Sequence, residues 1–424
     1  MRRVILLGLG SRGDVAPLVR LGAAMRREGH EVTVVTSDDH QDTVRAAELS
    51  FVSCAPGMRI EQSPELADES RRSRFETSLG TVLTLRNIMR TLAEPLADVL
   101  DELVTPDHLF VTGVLGASLS AALRRARHCD AVNVTFAATV PTAYGGSYIS
   151  ALLPGRVSRL NRGNALAAQR GFLSLTSAPG RELACHLGQR LTVTDVTREF
   201  TVAPNLVGTS PLLAPRAPDW PEWVCVTGAW AASQSDQQPP LPRDLEAFLA
   251  DGPPPVYVGF GSAVSRDPAG DLVLFAEAAR DAGVRVVARR SDWLVADSTS
   301  LGPHAHVIGT VSHDLLLART AAVIHHGGAG TTVAALRAGV PSSVIWHNVD
   351  QPFHARRSAQ LGVGPLGFGK RQLTRQRLAE LMKALVASPD TAGYQAAAEK
   401  VSAQICHEDG TKLALDTLRR WKLL

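Results

Sequence analysis

The chain has 424 residues, with 44 Lys and Arg against 41 Asp and Glu and a formal net charge of +3. That balance leaves no basic footprint for nucleic acid, and no charge run is long enough to form a tail. With 45% hydrophobic and 20% charged residues and a mean hydropathy of +0.02, the composition is that of a soluble globular protein too long for one ordinary core, so two domains are expected.

The start, Met1-Arg-Arg-Val-Ile-Leu-Leu-Gly, resembles a leader peptide, but its apolar stretch breaks at Gly8-Leu-Gly-Ser-Arg-Gly13. It reads instead as a first buried strand at 4–7. Helical spacing follows over 16–28, stopped by Gly29, and a Val- and Thr-rich strand over 31–36. Further strands are expected at 109–112 and 131–136, with helical patterns between them. Strands alternating with helices argue for an open, doubly wound parallel sheet. No run approaches the roughly 18–20 apolar residues of a membrane span. Cys54, Cys129, Cys185, Cys225 and Cys406 are scattered without a CxxC pair. Buried thiols in a reducing compartment are expected, with no disulfide framework and no zinc site.

The first glycine turn matches GxGxxG after a strand, which taken alone suggests a dinucleotide fold with Asp38 as the ribose acid. That signal is weak, because such turns occur in many α/β proteins. Asp14 follows the last glycine and opens the helix, with Pro17 in the first turn. Two readings of it stand: a helix N-cap, or a carboxylate aimed into a crevice between the domains. Segments 57–80 and 141–170 are poor in long apolar runs. In a doubly wound domain such insertions lie over the carboxyl ends of the strands, where ligands bind. They are the candidate pocket for a second substrate.

Ten of the 25 prolines fall between residues 211 and 255, marking a linker or a domain edge. Val256-Tyr-Val-Gly-Phe-Gly-Ser262 then restarts the pattern of strand and glycine turn. Strands at 284–288, 306–308, 321–324 and 343–345 continue it. Two α/β domains in tandem, joined near 216–254, are therefore expected.

Residues 325–332 read His-His-Gly-Gly-Ala-Gly-Thr-Thr, between an apolar run at 320–324 and a short helix pattern at 333–339. A strand, a glycine turn and a helix N-terminus form a cradle for phosphate. The amides of the first helical turn lack partners, and the positive end of the helix dipole favours an anion. Ser262, after the turn Gly259-Phe-Gly, is placed to donate to a phosphate oxygen. Asp350-Gln351, after another strand, offers acceptors and donors at the spacing of neighbouring sugar hydroxyls. His347 and His354 read as structural. His325 and His326 are adjacent, so their side chains diverge in a strand and do not suggest a metal site. His326, nearer the turn, is the better phosphate donor.

Together these residues resemble a known family. His325-His-Gly-Gly-Ala-Gly-Thr-Thr332, Gly339-Val-Pro341 and Asp350-Gln351 look like the donor-binding signature of family-1 nucleotide-sugar glycosyltransferases of the GT-B fold. Gly10-Ser-Arg-Gly-Asp14 and Asp219-Trp-Pro-Glu-Trp-Val-Cys-Val-Thr-Gly228 are similar to bacterial members, including glycopeptide- and macrolide-type natural-product, sterol and rhamnolipid glycosyltransferases. The resemblance implies two Rossmann-like doubly wound domains facing a cleft. Residues 1–215 would be the acceptor-binding domain, 216–254 a Pro-rich linker, 255–405 the nucleotide-sugar domain, and 406–424 a helix crossing back to the first domain.

The resemblance also implies roles. A UDP- or TDP-sugar is the donor. Ser262, His326, Gly328, Ala329, Gly330 and Thr331 would grip its diphosphate, and Asp350 and Gln351 its sugar. Thr310, Val311 and His313 match the stretch that receives the base, although many members carry Trp and Gln where this chain has Thr310 and His313. Asp14 takes the place of the His that many members use as general base. The implied reaction is a single inverting displacement on a small, lipophilic natural-product acceptor, with no cofactor and no metal. A cytoplasmic monomer or homodimer is expected. The rival is a non-catalytic GT-B partner or activator of another transferase.

Overall fold

The computed structural model describes residues 1–55, 78–145, 152–153, 156–231, 240–260, 267–290, 301–309, 311–347 and 350–424. They form two compact units: Met1–Ala231 together with Asp409–Leu424, and Ala232–Glu408.

Among the described residues the first unit holds seven parallel strands: β1 (Arg3–Leu7), β2 (Glu31–Thr36), β3 (Ser50–Ser53), β4 (His108–Gly113), β5 (Asp130–Thr135), β6 (Asn205–Val207) and β7 (Val224–Val226). Their order is β3-β2-β1-β4-β5-β6-β7, with Leu7 of β1 aligned to Val35 on one side and Thr112 on the other. Successive side chains of β1 enter opposite cores, as strand geometry requires. Val4 and Leu6 join Val34, Leu109 and Val111, whereas Ile5 and Leu7 join Val35 and Phe110. A sheet buried on both faces needs such continuous apolar strands, which is why residues 4–7 carry no alternation.

Helix Arg12–Arg27 covers one face with Leu18, Leu21 and Met25. The last helix, Gly410–Arg420, packs into the same core through Ala414, Leu415 and Leu418. Asp409 caps it by accepting from the Lys412 amide at 3.1 Å.

The second unit holds β8 (Val256–Gly259), β9 (Val286–Arg289), β10 (Ala305–Ile308), β11 (Ala322–His325) and β12 (Ser342–Val344), all parallel, in the order β10-β9-β8-β11-β12. Again the strands serve two cores, with Val256 and Val258 on one side and Tyr257 on the other. In each sheet the strand order reverses at one point, between β1 and β4 and between β8 and β11. Crevices outside the carboxyl ends of the strands at such points are where open α/β sheets bind ligands. No helix among the described residues is long and apolar enough to cross a membrane.

Three expectations need correction. The 216–254 segment is not a bare linker. Val224–Val226 is an edge strand of the first sheet, Trp230 is buried in the first unit's core, and the Trp220 indole donates to the Val140 carbonyl at 3.1 Å. Farther on, helix Arg243–Ala250 buries Leu245 and Leu249 in a core of the second unit. Two of the segment's prolines sit where a missing amide costs little: Pro221 before the edge strand and Pro242 at a helix N-cap.

The second correction concerns 141–170. Its second half begins a 17-residue helix, Arg159–Leu175. The buried face is Asn161, Ala165, Gln169 and Leu173, so two of its four positions are polar and the apolar period is hidden. Asn161 is buried because its amide is satisfied: Nδ2 donates to the carbonyls of Ala143, Leu153 and Arg156, and Oδ1 accepts from the Leu153 amide. Of the other segment, residues 57–77 lie outside the described residues. Third, the thiols are not all buried. Cys54 and Cys129 are, and burial raises them to about 12 and about 11, but Cys185 and Cys406 are exposed.

The attachment of the last helix depends on a close backbone approach. A Cβ on Gly410 would stand 2.5 Å from the Ala229 carbonyl oxygen and 2.7 Å from that of Gly228. Neither backbone group can yield as a side chain would. Gly410→Ala is expected to lower the unfolding free energy by about 1–3 kcal/mol, measured by chemical denaturation; an unchanged transition midpoint would contradict this packing.

Candidate active site

The second unit's site is built where β8 and β11 end side by side, with Gly259 and His325 in register. β11 runs directly into His326-Gly-Gly328 and the helix Ala329–Ala338. Gly327 adopts φ +89°, a conformation that favours glycine. A Cβ there would also meet Val344 at 2.6 Å and the Cβ of Gln351 at 3.2 Å. The turn is thereby pressed against Gln351, one of the two residues expected to hold the sugar. Gly328 is the N-cap, and a Cβ on it would lie 2.4 Å from Nε2 of His326. The His326 imidazole therefore lies directly against the helix N-terminus.

That N-terminus is open. Gly328 has no side chain to cap it, and the first turn contains no acid. The Thr332 hydroxyl is turned back onto the Gly328 carbonyl at 2.9 Å, so Thr331 is the hydroxyl of the pair not spent on the helix backbone in this way. Gly330 is exposed and a Cβ there would meet nothing within 4 Å.

The two adjacent histidines part company. His325 is fully buried, and its Nδ1 accepts from the Gly327 amide at 3.1 Å, which bends the turn. Burial holds it well below its ordinary pKa, so it is neutral. His326 is half-buried and pushed down to about 4, first by desolvation. The Asp350 carboxylate pulls it back up, and the positive charge of Arg289 pushes it further down. Arg289 ends β9. Sequence reading missed it, although the Arg289-Arg290 pair at the end of an apolar strand was its signal.

Asp350 is the N-cap of helix Gln351–Gln360, with Oδ2 3.5 Å from Nε2 of the buried His354. Gln351 Oε1 accepts from the His347 amide at 2.6 Å, which fixes its carboxamide. His347 is pushed down to about 3, mainly by burial and next by Lys370. It stacks edge-on against Phe260. His347, read as structural from the sequence, is thus a neutral imidazole beside the site.

Of the stretch expected to receive the base, Val311 packs on the core that holds Tyr257, and Nε2 of His313 lies 3.2 Å from the Tyr257 hydroxyl. Ser262 and Thr310 lie outside the described residues. The structure therefore brings together His326, Gly328, Ala329, Gly330, Thr331, Asp350 and Gln351 within the second unit.

In the first unit the glycine turn after β1 is built differently. Ser11, not Asp14, is the N-cap of helix Arg12–Arg27, and Asp14 is the third residue of a reciprocal capping box. Its Oδ2 accepts from the Ser11 amide at 3.0 Å and lies 3.2 Å from the Ser11 hydroxyl. Gly10, at φ +118°, leaves room for this carboxylate, which a Cβ would meet at 2.5 Å. An acid already seated at this helix N-terminus repels a pyrophosphate, so the dinucleotide reading fails on charge. Asp38, its expected ribose partner, accepts from the Ser53 hydroxyl.

Known proteins match both units. Residues 4–122 match the glycosyltransferase family 28 N-terminal domain. Residues 275–411 match the erythromycin biosynthesis protein CIII-like C-terminal domain. The chain is 33% identical to the vancomycin aglycone glucosyltransferase of Amycolatopsis orientalis over 374 residues, 85% of each chain. It is 29% identical to the O-mycaminosyltylonolide 6-deoxyallosyltransferase of Streptomyces fradiae, over 99% of this chain and 97% of that one. Among solved structures, the calicheamicin glycosyltransferase CalG4 shares the fold at a TM-score of 0.66 and 19% identity, covering 99% of this chain and 98% of that one. VinC, solved in complex with DTDP, does so at 0.63 and 20%, covering 98% of each. The chain therefore belongs to the GT-B natural-product glycosyltransferases that match family 28 and the erythromycin CIII-like domain, and it is a nucleotide-sugar-dependent transferase.

Proposed function

We propose that the protein is an inverting, metal-independent cytoplasmic enzyme that moves a sugar from a UDP- or TDP-sugar to a small lipophilic natural product. The observation that carries this is the contrast between its two glycine turns. One helix N-terminus is uncapped, free of acid and covered by an imidazole, which suits a leaving diphosphate. The other presents an oriented carboxylate, which suits a base. The relatives' names support the substrate classes: a vancomycin aglycone and a tylonolide as acceptors, and DTDP bound to a protein of the same fold.

In this reading Asp14 takes the proton of the acceptor hydroxyl as its oxygen attacks the anomeric carbon. The bond to the diphosphate oxygen breaks in the same step, with inversion. The amides of Ala329, Gly330 and Thr331, with His326, stabilise the charge that develops on the leaving group, and Ser262 assists. Asp350 and Gln351 hold the sugar hydroxyls, and Thr310, Val311 and His313 flank the base.

Asp14→Asn is expected to lower kcat by about 10²–10⁴-fold while nucleotide affinity, measured by calorimetry, stays unchanged; retained turnover would remove Asp14 from the base role. His326→Ala should weaken TDP or UDP binding by about 10- to 100-fold, and equal affinity would contradict the diphosphate assignment. The imidazole is neutral at pH 7 because its pKa is about 4. An arriving diphosphate favours the imidazolium, so the pKa rises in the complex and binding takes up a proton. Affinity should therefore increase as pH falls from 7 towards 5. Calorimetry in buffers of different ionisation enthalpy would detect the proton, and His326→Gln should remove it.

A further inference from the structure

We infer that His40 is a positioning residue for Asp14, acting through the peptide group that joins Gly10 to Ser11. The inference rests on the reading of Asp14 as the base. His40 ends the short turn Asp38–His40 that follows β2, and only 4% of its surface is exposed. Its Nε2 lies 3.2 Å from the Gly10 carbonyl oxygen. A carbonyl only accepts, so Nε2 carries the proton and donates it.

The other end of that same peptide is the Ser11 amide, which donates to Asp14 Oδ2 at 3.0 Å. The bonds therefore run in series: imidazole N–H to carbonyl, and amide N–H to carboxylate. A hydrogen bond received at the carbonyl polarises the amide and strengthens its N–H as a donor.

The chain also has a geometric role. Gly10 sits at φ +118°, where only glycine is at ease, and nothing in its own side chain fixes the peptide that follows. The His40 bond holds that peptide in the orientation that aims its N–H at Asp14. The neighbouring acids of the turn are otherwise engaged: Asp38 by the Ser53 hydroxyl and Asp39 by the Ser37 hydroxyl. His40 thus acts on Asp14 through backbone rather than by touching the carboxylate.

Two measurements on the full chain test this. The first is ¹⁵N NMR of the imidazoles in the unmodified protein, with His40 assigned by its loss in a His40 variant. Nε2 of His40 should be protonated near neutral pH; a bare Nε2 with the proton on Nδ1 overturns the inference without reference to activity. The second follows nucleoside diphosphate released from UDP-glucose and TDP-glucose, with vancomycin aglycone as the acceptor probe. His40→Met, which keeps bulk without an N–H, should lower kcat by about 10- to 100-fold and leave KM for the nucleotide sugar unchanged. His40→Gln, which restores a donor, should recover most of the rate. In an Asp14→Asn background His40→Met should have no further effect, because the two act as a unit. If Asp14→Asn is inactive but His40→Met turns over normally, the His40 inference fails and the Asp14 reading survives. If Asp14→Asn is active, the base reading itself has failed.

Discussion

The first-turn amides of helix Ala329–Ala338 are the constraint around which the second unit is arranged. An α-helix leaves its first N–H groups unsatisfied, and most helices cover them with a side chain. Here the cap is Gly328, the first turn has no acid, and the strand end beside it is a glycine. Its neighbours keep that end approachable and shape the turn before it. Gly327 lets β12 and Gln351 press against the turn. His325 bends the turn from below with its Nδ1. Burial holds His325, His326 and His347 neutral. In the proposed reading, the first-turn amides with Arg289 close by would meet an incoming anion with oriented donors and positive charge.

The first unit uses the same strand, turn and helix for the opposite purpose. Its helix N-terminus is already satisfied by Ser11 and Asp14, so it does not seek an anion but presents one. The bland role of Asp14 as a capping acid and its proposed role as a base are compatible. The capping bonds orient the carboxylate, and Gly10 gives it space. A base at a fixed angle loses less entropy when the acceptor arrives. This is also why a residue two elements away, His40, matters through a shared peptide group.

Much of the architecture was legible along the chain because parallel strands buried on both faces must be short and continuously apolar. Residues 4–7, 109–112 and 321–324 announced β1, β4 and β11 in that way, and the Val- and Thr-rich run 31–36 announced β2. The loop at 325–332 was legible because glycine has a physical reason to be at positions 327 and 328. The illegible parts share a cause. Arg159–Leu175 buries Asn161 and Gln169, so its period escapes a search for apolar residues. Val224–Val226 is three residues long and lies amid prolines, so it reads as linker. Arg289 and His40 are single polar residues whose meaning lies in what stands opposite them.

The sequence by itself determined the two α/β patterns, the uncapped glycine turn at 325–332, the acid at position 14 and the pair at 350–351, because each is a local matter of spacing, turn chemistry and helix ends. Only the tertiary structure decided which strands are neighbours, that Ser11 rather than Asp14 is the cap, and that His325, His326 and His347 are neutral. Strand order, desolvation and bonds through a shared peptide depend on groups far apart in the chain. Their energies exist only once folding has brought those groups together.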